Sequence, residues 1–410
     1  MIWPFSKLFD RKAKVTTEDL LREHFAGFAS KTGISVNWRT AQEAITFMAG
    51  ARVIAEGLAQ VPCKIFQKKN DRRLPAENLS LYELLNDAPN EWMTAYDFFE
   101  AMGLHLTFCG NFFAFKNITR GRIVELLPYE PQTVTVTRKG WETFYEVTTA
   151  DGKKTPVPAA NMWHVRGPSW NTWYGLEGVR LAREAIGLAL ATEQHGAQTF
   201  KNGTSLSGIL TTDQVLGKEK AKELREAWVE QYAGLQKAGG TAVTWGGLKY
   251  QVIAMMNDQA QFNETRRMQI EEVCRSLRIM PIMVGHTSDK ASTYASAEQM
   301  FLAHAIYSMG PWYRRIEKSI DKFLLTPEER KAGCYTKFII NALMRSAARD
   351  RGEYYGKALG SGGSPAWMTQ DEIRELEELD PMGGEAAKLP VPTNVGGAAP
   401  PAGGAEDAQN

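Results

Sequence analysis

Side chains able to do chemistry are plentiful in this chain, but they do not assemble into any familiar constellation. Six histidines (His24, His105, His164, His195, His286 and His304) are scattered without the spacing that metal ligands need, so structural or surface roles are expected for them. The four cysteines, Cys63, Cys109, Cys274 and Cys334, form no C-x-x-C pair. Neither a zinc ribbon nor a disulfide framework is supported, and a reduced, cytosolic setting fits. Gly246-Gly247-Leu248-Lys249 lacks the spacing of a phosphate loop and the hydroxyl residue that would hold Mg²⁺, which argues against an ATPase. H-E-x-x-H, G-x-S-x-G and G-x-G-x-x-G are also missing. No catalytic residue, metal or cofactor is therefore assigned. One cluster is left for an unfamiliar active site: His164 and Arg166, followed by the Trp-rich loop from Trp170 to Tyr174. That reading needs a polar cluster in a concave pocket, and it loses its main support if His164 is a buried strand-end residue.

The 410 residues include 48 Lys+Arg against 47 Asp+Glu, and 43% are hydrophobic. This is enough for about two or three globular units with real cores. A net charge of +1 argues against a protein that coats nucleic acid by bulk positive charge, so any DNA contact has to be local. The apolar start, Met1 to Phe9, is interrupted by Pro4 and Lys7 and is not expected to be a secretion signal. No uncharged apolar run approaches the ~18 residues of a membrane span, so a soluble protein is expected.

The elements that must position any site follow from periodicity. A helix is expected from Thr40 to about Gln60, ended by Pro62, then a strand over Cys63 to Gln67. Ser80-Leu81-Tyr82-Glu83 has capping-box spacing, and Thr94 precedes a helix over Tyr96 to Phe108 that Gly110 closes. Short β-branched and aromatic runs at Phe112–Phe115, Arg122–Leu127, Thr133–Thr137 and Thr143–Thr149 predict an antiparallel sheet, so the N-terminal unit is α+β. A first long helix is expected from Leu176 to about Lys201, roughly 39 Å at 1.5 Å per residue, with Ala182, Ala185 and Ala189 on one face.

Ser207 to Ala254 reads as an insert: a strand at Ile209–Thr212, a helix at Lys218–Gln236, and a hairpin across Gly246-Gly247. A second long helix spans about Gln259 to Leu277. One stripe on it carries Glu264, Arg267, Glu271, Arg275 and Arg278, and the opposite side carries Phe262, Ile270, Val273 and Leu277. The stripe suits pairing with neighbouring copies or, alternatively, pairing along its own solvated face. A polar segment, Gly285 to Ser296, precedes a third long pattern over Ala297–Leu325. Its core face is expected to carry Phe301, Ala305, Met309, Trp312, Ile316, Ile320 and Phe323, with a kink at Gly310-Pro311. Thr326-Pro327-Glu328-Glu329 and Thr369-Gln370-Asp371-Glu372 start further helices, and the Gly/Ala/Pro-rich terminus from Pro381 is expected to be disordered.

The order of these elements, with particular residues, resembles the portal proteins of tailed bacteriophages, the head-to-tail connectors. The resemblance covers about Thr40 to Leu325. It rests first on Gly110-Asn111 with Phe112–Phe115, Glu125-Leu126-Leu127-Pro128 and Thr133-Val134-Thr135-Val136. Its most specific stretch runs from Trp163-His164-Val165-Arg166-Gly167 through Gly175-Leu176 and Ala185–Ala189 to Phe200-Lys201-Asn202-Gly203 and Ser207-Gly208-Ile209-Leu210. Asp258–Phe262, Glu264-Thr265-Arg266, Gly285, Ala297-Glu298-Gln299 and Pro311-Trp312 extend it. Two positions depart from the family: Arg278-Ile279-Met280-Pro281 replaces a Gly-hydrophobic-Pro-Pro turn, and Ser296-Ala297 stands where an Asn often precedes the Glu-Gln pair.

The resemblance implies an α+β portal-protein fold in a defined order. An N-terminal segment (1–39) is followed by a wing (40–175), a first stem helix (176–203), a clip (204–256) and a second stem helix (257–281). A tunnel loop (282–296), a long wing helix (297–325), a crown-like helical region (326–380) and a tail (381–410) complete it. It implies a homo-oligomeric, dodecameric ring at one capsid vertex of the virion, assembled in the host cytoplasm, through which double-stranded DNA is packaged and ejected. Partners would be the terminase large subunit, head-completion or neck adaptor proteins, and the major capsid or scaffolding protein, with no membrane and no enzymatic activity. In that frame His286, Ser288, Lys290 and Thr293 would line the tunnel, Lys218, Lys220, Lys222 and Arg225 would face the motor, and Glu264, Arg267, Glu271 and Arg275 would lie between stems. The competing readings are a helical scaffold or adaptor without a channel, whose long helices would close into one intramolecular bundle, and the enzyme described above.

Overall fold

The computed structural model describes residues 28–69, 72–201, 208–211, 217–232, 249–252, 258–286, 294–340, 348–361, 365–377 and 379–390. The chain divides into two compact units, with the boundary between Ile339 and Ile340.

The first unit opens with a minimal hairpin, β1 (Phe28–Ala29) and β2 (Ser35–Val36). The helix expected over 40–60 is broken in two, α1 (Trp38–Glu43) and α2 (Ile45–Ala59). Asn37 accepts from the Arg39 and Thr40 amides and starts α1, while Ala44, with an extended backbone, interrupts the pattern. Next come β3 (Cys63–Lys69), β4 (Arg72–Pro75), α3 (Ser80–Asn86) and α4 (Ala95–Cys109). Thr94 starts α4 as expected, in a capping box with Asp97, but the N-cap of α3 is Leu79, with no side-chain cap. Ser80 is the first helical residue there, so its capping-box spacing was coincidental. Gly110 ends α4 with φ +67°, the left-handed conformation in which a side chain would strain the turn.

The single sheet expected from 111 onward is two. Strand β5 (Asn111–Thr119) pairs with β6 (Arg122–Tyr129), while β7 (Val134–Lys139), β8 (Glu142–Thr148) and β9 (Lys154–Val157) form a separate meander. Strand β10 (Met162–Arg166) returns to the first sheet antiparallel to β5, placing Trp163 opposite Ala114 and His164 opposite Phe113.

The first long helix is also shorter than expected. A single turn, α5 (Gly178–Leu181), bends at Ala182 into α6 (Arg183–Lys201), whose 19 residues span roughly 28 Å. The bend has a tertiary cause: a Cβ on Gly178 would lie 2.0 Å from the Thr107 carbonyl oxygen, so α5 is docked backbone-to-backbone on the end of α4. In the insert, β11 (Gly208–Thr211) pairs antiparallel with β12 (Lys249–Val252), and α7 (Lys218–Tyr232) lies between them in sequence. The expected hairpin partner, 241–245, lies outside the described residues.

Helix α8 (Asp258–Leu277) matches its expectation to one residue. Its end is tied by Ile279 N–H to Cys274 O at 3.0 Å, with Arg278 at φ +57°. The resemblance implies a glycine at this position, and the left-handed backbone is one that glycine adopts freely. The third long pattern forms α9 (Tyr294–Ala303), a π-helical stretch (His304–Met309) and α10 (Gly310–Phe323). The expected proline kink takes this form. Gly310 N–H reaches back to Ala305 O, and Pro311, which has no N–H, falls in the first turn of α10 where no donor is required.

Helix α11 (Pro327–Lys331) and strand β13 (Cys334–Phe338) complete the first unit, β13 pairing with β3. The first compact unit extends to Ile339, because β13 takes its hydrogen bonds from β3. One core cluster gathers Phe47, Ala51, Phe108, Ala182, Ile186, Leu190 and Val273, joining α2, α4, α6 and α8; a second joins Phe113 to Tyr145, Val147 and Val157.

The second unit contains α12 (Ala348–Ala358) and α13 (Gln370–Leu376). The Thr369–Glu372 capping box is present, and Tyr354 packs edge-on to Trp367. Residues 381–390 are held in place, against the disorder expected from Pro381. Asp371 accepts from the Met382 and Gly383 amides at 2.7 and 2.9 Å and holds the chain up to a 3₁₀ turn at Gly384–Ala387. Residues 391–410 lie outside the described residues.

Candidate functional site

His164 sits on β10 with only 7% of its surface exposed. Its Nε2 lies 3.0 Å from Asn111 Oδ1 and its Nδ1 lies 3.3 Å from the Tyr145 hydroxyl. Asn111 commits its own amide N–H groups to the Cys109 and Gly175 carbonyls. Its Oδ1 can therefore only accept, which assigns the proton to His164 Nε2 and leaves Nδ1 to accept from Tyr145. This is a satisfied neutral imidazole inside a packed sheet, so the catalytic reading of His164 and Arg166 loses its support.

Burial, reinforced by the Arg166 charge, lowers the His164 pKa to about 3, and burial alone lowers that of His105 to about 4. Both folded values lie below the unfolded one. Their stabilisation is complete above pH ~6.5 and is lost as pH falls toward the folded values, at up to ~1.4 kcal/mol per pH unit for each histidine. Urea denaturation between pH 7 and 4.5 should show this loss, and His164→Gln should flatten it while lowering stability at pH 7. An unchanged slope in the variant contradicts this assignment.

A cavity of about 230 Å³ lies between α1, α2 and α4, lined by Trp38, Met48, Leu104, His105, Phe108 and Cys109 among others. Burial pushes the Cys109 thiol up to about 12, so it is not a nucleophile at neutral pH. Among the described residues, no group of His, Cys, Asp and Glu is arranged to hold a metal ion, and no helix is long and apolar enough to cross a membrane.

The structure accounts for only some of the other expected site residues. Glu264, Arg267, Glu271 and Arg275 all lie on α8 and are exposed, while Val273 and Cys274 on its opposite side are buried. Among the described residues Glu271 and Arg275, one turn apart, do not form an ion pair with each other, so that part of the stripe is open to other partners. Lys218, Lys220 and Lys222 are exposed on α7, with Lys222 3.9 Å from Glu226; Arg225 is on the same helix. His286 is half-buried just after a 3₁₀ turn at Pro281–Val284, and its amide is held by Pro281 O at 3.0 Å. Ser288, Lys290 and Thr293 lie outside the described residues.

The two long helices do touch. Gln269 donates to Thr192 Oγ1 at 2.9 Å, and Ile186, Leu190 and Val273 share one core cluster. The contact is one-sided: Glu193, Gln194 and His195 on α6 and Glu264 to Met268 on α8 are exposed. The helices are thus rooted together in the core with outer faces uncovered, a different arrangement from both free-standing rods and a closed bundle.

The sequence pattern did not reveal one surface. From Gln299 to Tyr313 there is no Asp, Glu, Lys or Arg, and the stretch reads as a core face. Of the expected core face Met309 is buried but Phe301 is 51% exposed, and Leu302, Ile306 and Tyr307, outside that expected face, are 43%, 50% and 69% exposed. A helix apolar on most sides is normally covered by protein, and an exposed cluster of this kind marks an interaction surface.

The architecture can be set against known proteins. A family model described as "Phage portal protein" matches residues 45–378. The probable portal protein of Streptomyces phage phiC31 is 26% identical over 383 residues, covering 90% of this chain and 82% of the relative. The portal protein of Enterobacteria phage HK97 is 26% identical over 334 residues, covering 80% and 77% respectively. A solved structure titled "Neck of native GTA particle computed with C12 symmetry" shares the fold with a TM-score of 0.53 at 19% identity, over 90% of this chain and 95% of that one. With a family model spanning most of its length and two portal relatives aligned over most of theirs, the chain belongs to the phage portal protein family.

Proposed function

We propose that twelve copies of this chain close into a ring at one vertex of a phage capsid. Double-stranded DNA would enter and leave the virion through the bore. The observation that carries this is the uncharged α9–π surface: Phe301, Leu302, Ile306 and Tyr307 are too apolar to face water, and a neighbouring copy covers them in a ring. The uncovered outer faces of α6 and α8 fit the same assembly as stems, with Glu271 and Arg275 meeting neighbours. The similar neck structure carries the C12 symmetry that sets the proposed copy number.

In this reading the residues 204–256 form the clip, and Lys218, Lys220, Lys222 and Arg225 offer a basic face to the terminase motor and later to neck proteins. Residues 282–296 form the tunnel loop, with His286, Ser288, Lys290 and Thr293 toward the DNA. Each phosphate a protein neutralises strengthens binding by counterion release, so a conduit must carry few such contacts; the near-zero net charge is consistent with that. Immunogold labelling of intact virions is the test. One gold focus per particle at the tail-joined vertex is expected, and label spread over the shell would contradict the proposal.

A further inference from the structure

Arg166, at the end of β10, and Arg315, on α10, lie 149 residues apart in sequence, and the Arg315 side chain reaches the Arg166 backbone. Arg315 Nη1 donates to the Arg166 carbonyl at 3.2 Å and to the Gly167 carbonyl at 3.1 Å. Arg166 Nη1 donates in turn to the Thr172 carbonyl. Burial, with the charge of Arg166 added to it, lowers the Arg315 pKa, as expected for two cations held near each other. Among the described residues neither guanidinium pairs with a carboxylate. All their hydrogen bonds are to backbone carbonyls through one nitrogen each, so Nε and Nη2 of both side chains keep unspent donors.

Such a juxtaposition is unfavourable unless something repays it. The loop that holds Arg166 is itself strained: Thr172 is β-branched and has φ +68°, a left-handed conformation that a non-glycine residue rarely adopts. Asn171 Oδ1 accepts from the Trp173 and Tyr174 amides and holds the loop in this form. On the same loop, two residues before Thr172, Trp170 is 91% exposed. Two forks fixed by carbonyl anchors, on and against a loop that carries an exposed indole, have the composition of a protein-binding hot spot, where Trp and Arg are enriched.

The geometry assigns Arg166 and Arg315 to an oxyanion-binding site that takes the carboxylate of an acidic protein segment, with Trp170 packing against that segment. DNA phosphate is the less suitable ligand, because a fixed guanidinium pair would grip a phosphate that has to slide. The site itself lies within a single copy of the chain, while the preference for carboxylate over phosphate rests on the proposed passage of DNA.

Purified full-length chain, its R166Q/R315Q variant and its R166K/R315K variant should be titrated by calorimetry with a hexaglutamate peptide and, separately, with a 20-base-pair duplex. Thermal shifts in sodium sulfate and sodium chloride at equal ionic strength complete the comparison. The wild type should bind the peptide at least tenfold more tightly than either variant and gain more from sulfate than they do. The lysine variant keeps both charges but not the forks, so it decides the matter if the glutamine variant fails to fold. Equal peptide binding by wild type and lysine variant overturns the assignment. So does a duplex affinity that depends on the arginine pair while peptide binding does not.

Discussion

A chain carrying Ile306→Asp and Tyr307→Asp is expected to remain folded and to lose ring assembly. Both side chains are at least half exposed in the single subunit, at 50% and 69%, so the substitutions remove little intramolecular packing. Their cost to the subunit should stay near ~1 kcal/mol, mostly helix propensity. In a ring the same positions are covered, and the balance changes. Each interface loses the burial of an isoleucine and a tyrosine and has to desolvate two carboxylates, together at least ~4 kcal/mol, or about 1000-fold in association. Mass photometry alongside far-ultraviolet circular dichroism separates the two effects. A native spectrum with monomeric mass is expected, whereas intact rings would remove the α9–π surface from the interface.

The largest effect on stability is expected from Trp163→Ala. Trp163 is fully buried, stacked on Phe98 with ring centroids 6.2 Å apart and met edge-on by Phe112 at 5.9 Å. Its indole N–H donates to Ser319 Oγ at 2.9 Å, which fastens β10 to α10. Truncating a buried tryptophan typically costs ~3–5 kcal/mol, a large share of the ~5–15 kcal/mol that holds a domain together. Trp141, 92% exposed, is the matched control, and Trp141→Ala should stay within ~0.5 kcal/mol of the parent. Guanidinium denaturation followed by tryptophan fluorescence checks both, and equal midpoints for the two variants would contradict the packing described.

What the sequence made legible was local. Three helix starts, at Thr94, Thr326 and Thr369, formed where the sequence placed them, each closed by a local capping box, whereas the capping-box spacing at Ser80 formed none. Helix α8 was found almost to the residue for the same reason: its period lies within one element. Features set by distant partners were missed. Strand β13 exists because β3, more than 260 residues earlier in the chain, offers it an edge, and a five-residue run shows no such partner on its own. The bend at Ala182 comes from Gly178 docking on Thr107, which periodicity does not encode.

Surface assignments followed the same division. Apolar spacing identifies a covered face but not the molecule that covers it, so Phe301 read as part of this chain's own core although it is half exposed, and the exposed Leu302, Ile306 and Tyr307 were not singled out. The Arg166–Arg315 pair was invisible because its members are joined only by the fold. On α8 the charge stripe was legible from spacing, and the structure adds that Glu271 and Arg275 are open to outside partners.

Cryo-electron microscopy of the purified chain, viewed down the symmetry axis, tests the central proposal most directly. A closed twelve-fold ring with an open bore is expected, with Phe301, Leu302, Ile306 and Tyr307 of each copy covered by the next. Monomers at every concentration, or a ring that leaves those four side chains in solvent, would contradict it.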